Sequence, residues 1–235
     1  MRSERGGPEA VLLDMDGTLV DTEGLWWRAT EAVAASLERL LGPSDVPHVL
    51  GRRAEDVAAH LVGDGTSCDE ASRGGAASVV GRLVSAFAEL IGRELTVMPG
   101  AQELLSGLSA AAVPTALVTA SPRSIAELVL PRLDHAFDLV IANEDTERGK
   151  PYPDPYLEAA RRLGAAPGRC VAIEDSPAGI AAATAAGCHV LVAGTGNGLP
   201  SLDRVLLPLP EWQPPRWPIQ GVITPPIGKL TRRER

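Results

Sequence analysis

Ala10-Val11-Leu12-Leu13-Asp14-Met15-Asp16-Gly17-Thr18-Leu19-Val20-Asp21 is the stretch on which the fold turns. An apolar run that stops abruptly at carboxylates predicts a buried strand delivering charge to a sheet edge. On extended backbone, side chains two apart point the same way, so Asp14 and Asp16 can converge on one site. Gly17 permits a tight turn, and Thr18 adds a hydroxyl just beyond it. Two aspartates so spaced suit a divalent cation while leaving a carboxylate for chemistry. Plainer readings compete. A calcium loop also opens D-x-D, but it needs glycine sixth and glutamate twelfth, where this chain has Leu19 and Leu25. Ordinary turn aspartates remain open on this stretch alone.

Downstream, apolar runs at 115–119, 139–142, 170–174 and 189–193 predict further strands. Helical patterns at 100–111, 122–130, 155–163 and 178–186 lie between them, with proline near their starts and Gly164 or Gly187 near their ends. Strands alternating with helices imply an α/β fold: a doubly wound parallel sheet covered on both faces, with ligands at the carboxyl ends of its strands. Residues 21–97 break the rhythm. Their patterns at 22–41, 54–62 and 74–91 are helical only, which predicts an α-helical cap inserted after the first strand. The expected division is a core of 1–20 and 98–212, a cap of 21–97 and a flexible tail of 213–235. Eight of the twenty prolines fall from Pro200 onward, and the chain ends Arg232-Arg233-Glu234-Arg235.

Composition narrows the function. With 235 residues, 45% of them hydrophobic but only 3% aromatic, Leu, Val and Ala must build the core. A formal charge of -8 argues against nucleic acid as a partner, because phosphate backbones need a basic face. Cys68, Cys170 and Cys188 have no metal-like spacing and suggest reduced thiols in the cytoplasm. The N-terminus carries no signal-peptide pattern, and the nearly uncharged run 178–196 breaks at Ala186-Gly187, so no membrane association is expected.

Each strand ends in polar groups suited to phosphate chemistry: Thr119-Ala120-Ser121, Gly149-Lys150-Pro151-Tyr152-Pro153-Asp154-Pro155 and Glu174-Asp175-Ser176-Pro177-Ala178-Gly179-Ile180. Asp14, Asp16, Glu174 and Asp175 in one crevice would repel each other and a phosphate dianion. Such a cluster is tolerable with a divalent cation and a positive side chain close by. Of 22 basic residues only Lys150 and Lys229 are lysines, so a lysine kept at 150 points to a compact ammonium rather than a planar fork.

Together, DMDGT, VTAS, GKPYPDP and EDSPAGI resemble the four motifs of the haloacid dehalogenase superfamily, across about residues 9–200. The inserted helical block resembles its β-phosphoglucomutase-like subfamily. The resemblance implies a nucleophile at Asp14, forming an aspartyl phosphate, and a general acid and base at Asp16. It implies phosphate contacts from Thr18, Thr119, Ala120, Ser121 and Lys150. It also implies Mg²⁺ held by Asp14, the Asp16 carbonyl and Asp175, with Glu174 either a further ligand or a supporting group.

Within that family, absences discriminate. Dehalogenases lack the second aspartate, and phosphonatases need a cap lysine, of which residues 21–97 have none. Mutases carry a histidine on the first cap helix, which here reads Glu23-Gly24-Leu25-Trp26-Trp27-Arg28. The expectation is therefore a Mg²⁺-dependent phosphatase of a small phosphorylated metabolite, such as a sugar or polyol phosphate, working as a monomer or weak homodimer. A phosphosugar mutase and a silent phosphate-binding regulator are the alternatives. Glu23, Trp26 and Arg28 are expected to face substrate or core. Arg52 and Arg53 either approach the substrate or form a solvated pair. Neither Cys170 nor Cys188, both assigned to apolar strands, is expected to act as a nucleophile.

Overall fold

The computed structural model describes residues 7–63, 75–193 and 199–207; Cys68, Gly74, residues 208–212 and the expected tail at 213–235 lie outside them. Among the described residues seven strands occur in chain order: β1 (Ala10–Leu13), β2 (Val20–Asp21), β3 (Thr96–Val97), β4 (Thr115–Val118), β5 (Leu139–Ile141), β6 (Cys170–Glu174) and β7 (His189–Val192). Five of them form one parallel sheet in the order β5-β4-β1-β6-β7. β1 lies at its centre, flanked by β4 and β6, which is why all four of its residues are apolar and 0% exposed.

Alternation along β1 divides the core into two layers. Val11 and Leu13 pack beneath Leu104, Leu105 and Leu108 of the helix Ala101–Ala110 and beneath Ile125, Val129 and Leu133 of the helix Arg123–Leu133. Ala10 and Leu12 pack on the other face with Tyr156, Ala159 and Ala160 of the helix Asp154–Leu163 and with Ala182, Ala183 and Ala186 of the helix Pro177–Ala186. The short helix Leu202–Val205 closes the first layer through the fully buried Val205. The doubly wound α/β expectation holds. The nearly uncharged run 178–196 contains a helix end, the Gly187 turn and β7, and no described helix is long and apolar enough to cross a membrane.

A two-residue antiparallel ribbon of β2 and β3 leads into and out of the helical block, a feature too short to show in hydrophobic pattern. The block holds the helices Glu23–Ser36, Val46–Val49, Ala54–Val62 and Ala76–Glu94, which share a core of Val33, Val49, Val57, Leu61, Val79 and Leu83. Its first helix was expected to run to residue 41 and stops at Ser36. Glu38 turns left-handed at φ 59°, and the chain folds back so that the Arg39 guanidinium donates to Asp45 Oδ1 at 2.8 Å and to the His60 carbonyl. A buried partner for Arg39 outweighs continued helix propensity.

Candidate active site

β1 carries Asp14 to the carboxyl end of the sheet, where its N–H still bonds the Ile173 carbonyl of β6 at 3.0 Å. The following turn is tight: Gly17 has φ 84° and its N–H bonds the Val20 carbonyl at 2.8 Å. Gly17 is needed for a second reason, since a Cβ there would overlap the Asp175 carboxylate. Ser176 caps the helix Pro177–Ala186 through Gly179 N–H at 3.0 Å, which holds Glu174 and Asp175 at the end of β6 facing Asp14.

One ammonium joins these elements. Lys150 Nζ, buried, donates to Asp14 Oδ1 at 2.5 Å, Glu174 Oε1 at 2.5 Å and the Val118 carbonyl at 3.0 Å. Burial alone would lower its pKa, but Asp14 and Glu174 outweigh that and the net shift is upward. Asp14 is pushed well above the usual carboxylate range, first by burial and then by Glu174, with Lys150 opposing. Asp175 is raised to about 7 by burial and Glu174, partly offset by the hydrogen bond from Thr18.

The Asp16 carboxylate is held by hydroxyls. Thr22 donates to Oδ1 at 2.7 Å, while Thr119 and Ser121 donate to Oδ2 at 3.0 and 2.9 Å. Asp14, Asp16, Ala120, Ser121 and Lys150 line one cleft of about 700 Å³, mouth included. Thr18 and Thr119 are both buried and neither lines that cleft; Thr18 donates to Asp175 Oδ1 at 3.1 Å and so braces that carboxylate.

Can this donor set hold a cation? Asp14 Oδ2 is buried without a hydrogen-bond partner, and single oxygens of Asp14, Glu174 and Asp175 lie within 4.8 Å of one another. Three carboxylates face one ammonium, which leaves an uncompensated negative centre of hard oxygen donors. The residues fit a divalent ion. Glu174 is the least available, because its two oxygens already accept five hydrogen bonds, from Lys150, Tyr156, Asp175 N–H, Ser176 N–H and Ser176 Oγ.

Sequence reasoning missed Tyr156. It is fully buried, its hydroxyl donates to Glu174 Oε1 at 2.6 Å, and its ring centroid lies 5.4 Å from Lys150 Nζ. The available signal was a tyrosine on an otherwise Ala-lined helix face, since a buried phenol seeks a partner. Thr22 and Ser176 were given no role of their own, though Ser176 before Pro177 carries the signal of a helix N-cap.

The cap residues separate. Glu23, Trp26 and Arg52 line the cleft. Arg28 meets neither substrate cleft nor core: it is exposed and donates to Glu94 Oε2 at 2.6 Å. Arg53 is no solvated pair with Arg52; it packs over Gly149 and lies 3.7 Å from Glu55. Cys170 and Cys188 are pushed up to about 11 and about 12 by burial, which makes both poor nucleophiles. Cys188 precedes β7 rather than lying in it.

A parallel sheet whose central strand ends in a lysine-paired aspartate beneath an inserted helical block defines a class of hydrolases. Residues 8–187 match the family model for haloacid dehalogenase-like hydrolases, and the chain belongs to that family. It is similar to hexitol phosphatase A of Escherichia coli, at 35% identity covering 86% of this chain and 90% of that protein. Validoxylamine A 7'-phosphate phosphatase of Streptomyces hygroscopicus is 33% identical, covering 91% and 98%. Among solved structures, CbbY of Rhodobacter sphaeroides with xylulose-(1,5)bisphosphate matches at a TM-score of 0.72 and 26% identity, covering 81% of this chain and 88% of that one.

Proposed function

We propose that this protein is a Mg²⁺-dependent phosphatase that hydrolyses the phosphate monoester of a small sugar or polyol through an aspartyl phosphate on Asp14. The observation that carries this reading is the asymmetry of Asp14. One oxygen is tied to Lys150, and the other is buried with no hydrogen-bond partner. The relatives named above are, by their names, phosphatases of a hexitol phosphate and of validoxylamine A 7'-phosphate, which supports a small phosphorylated metabolite as the substrate class.

In the first step an Asp14 oxygen forms a bond to phosphorus as the bond to the leaving oxygen breaks, and Asp16 delivers a proton to that oxygen. Asp16 then takes a proton from the water that attacks the aspartyl phosphate, which frees phosphate and restores Asp14. The Thr22, Thr119 and Ser121 hydroxyls hold the Asp16 carboxylate for both transfers. Lys150 opposes the upward shift of Asp14, orients its carboxyl and offsets charge on the transferring group. Asp14, Asp175 and the Asp16 carbonyl would hold Mg²⁺, which supplies charge neutralisation, while Glu174 anchors Lys150 and the Asp175–Ser176 turn. The helical block acts as a cap that gates the cleft.

A mutase would need a cap histidine and lysine at the substrate. His48 and His60 stack on each other at 4.4 Å, His60 bonds Asp45 at 2.7 Å, and neither lines the cleft. Phosphate release from p-nitrophenyl phosphate with Mg²⁺ tests the proposal. Metal-dependent binding of phosphate without turnover would favour the regulator instead.

A further inference from the structure

One short segment of the helical block, residues 51–55, reaches three core loops that carry the site. Gly51 stands over Ser176, whose Cβ a side chain at Gly51 would meet at 3.7 Å, and the Arg53 side chain lies on Gly149, next to Lys150. Glu55, in the first turn of the helix Ala54–Val62, accepts from Asn143 Nδ2 at 3.1 and 3.3 Å.

Asn143 is the junction. Its N–H bonds the Ser121 carbonyl at 3.1 Å, and Ser121 Oγ donates to Asp16 Oδ2 at 2.9 Å. Ser121 N–H in turn bonds Thr119 Oγ1 at 2.9 Å, and Thr119 is another of the hydroxyls on Asp16. A continuous path of hydrogen bonds therefore runs from Glu55 in the block, through Asn143 and Ser121, to the Asp16 carboxylate.

An exposed contact to a carboxylate ordinarily contributes little. Asn143 differs, because it makes this one against a penalty: its Oδ1 is buried with no hydrogen-bond partner. Turning the amide over would set that oxygen against the Glu55 carboxylate, oxygen to oxygen. The nitrogen is thus fixed on Glu55, and the unpaired oxygen follows from that orientation. Arg53 Nε, 3.7 Å from Glu55 Oε2, steadies the carboxylate from the other side.

We propose, resting on the hydrolase reading above, that Glu55 is a positioning residue: it holds the Asn143 side chain, and through it the loop whose Ser121 hydroxyl aligns Asp16 for proton transfer. Lifting the block removes that partner, frees the amide to turn and pair its oxygen, and loosens the Ser121 loop. The seating of the block is thereby felt at the proton donor.

The test breaks the path at either end. Glu55→Ala and Asn143→Ala should each lower kcat for p-nitrophenyl phosphate with Mg²⁺ by roughly three- to tenfold, with KM changed less than about twofold. The double variant should be no slower than the slower single, since both remove one link. Glu55→Gln, which still offers Asn143 an oxygen, should recover most of the rate. Asn143→Ala also deletes the orphaned oxygen, so its Tm should hold or rise while its kcat falls, a split that a merely structural contact would not give. Hydrogen exchange needs no turnover: the Asn143 and Ser121 amide protons should exchange at least about threefold faster in Glu55→Ala. Wild-type kcat in Glu55→Ala, losses that add in the double variant, or unchanged exchange at both amides overturns the proposal. No phosphate release from the wild type overturns the hydrolase reading itself, and the positioning role with it.

Discussion

Asp14 and Asp45 are both buried carboxylates gripped by a cation, one in the core and one in the cap, yet their surroundings push them in opposite directions. Asp45 is held well below the usual carboxylate range, first by the Gly42 N–H, then by His60 and Arg39. Both its oxygens are occupied: Oδ1 by Arg39 and His60, Oδ2 by Gly42 at 2.9 Å. Asp14 is pushed up, chiefly by burial and by Glu174, and keeps one oxygen unpaired. The cap network is satisfied and has nothing left to offer a ligand. The core network keeps an unsatisfied oxygen and an uncompensated negative charge, as the proposed cation and phosphoryl site requires.

The largest effect expected from breaking this contrast is on activity. Asp14→Asn removes the proposed nucleophile and should lower phosphate release by at least about 10⁴-fold, while the far-UV circular dichroism stays native. Turnover near the wild-type rate would remove Asp14 from the mechanism. The mirror experiment is Asp45→Asn, which should lower Tm and leave kcat and KM alone. A depressed carboxyl contributes stability above its unfolded pKa and loses it as pH falls through the folded value. The wild type should therefore lose Tm more steeply than Asp45→Asn on acidification below about pH 4, measured by thermal melts. Parallel curves would make the Asp45 network idle.

Tyr156→Phe sits between the two. It deletes one of the five donors to Glu174 and keeps the ring beside Lys150. Lys150 then loses a rigid anchor while the fold keeps its packing. A hydrogen bond to a charged group contributes on the order of 1.5 kcal/mol, so kcat should fall roughly tenfold with KM nearly constant. Wild-type kcat in steady-state assays would reduce Tyr156 to a packing residue.

Much of the core network was legible, and the reason lies in chemistry concentrated at strand ends. β1 is an uninterrupted apolar run, so Asp14 had to emerge at a sheet edge, and Lys150 stood out in a chain that otherwise uses arginine. What stayed hidden depends on direction. Thr18 closes the DMDGT motif but turns to Asp175, and Tyr156 looks like any residue on a helix face until its hydroxyl is placed. The cap was legible only as helical. Its first helix ends early to bring Arg39 to Asp45, a long-range bond that no local pattern encodes, and Arg28 is drawn off to Glu94.

The smallest expected effect concerns Asp175, which separates the core network from the cap by the sign of its pH dependence. Its carboxyl is raised to about 7 by burial and by Glu174. A raised carboxyl favours the folded state below its unfolded pKa and loses that contribution as pH rises through the folded value. The metal-free protein should therefore lose Tm between about pH 4 and 7, the reverse of the Asp45 effect. A divalent ion needs this carboxylate ionised, so at pH 6 it competes with a proton and at pH 8 it does not. The Tm gain on adding Mg²⁺ should be larger at pH 8 by up to about 1 kcal/mol, or about 2–4 °C for a chain of this size. Asp175→Asn should remove both the gain and its pH dependence. A gain equal at both pH values in calorimetry would mean that Asp175 titrates outside this window or does not touch the ion, and Asp14 would have to hold it with other partners.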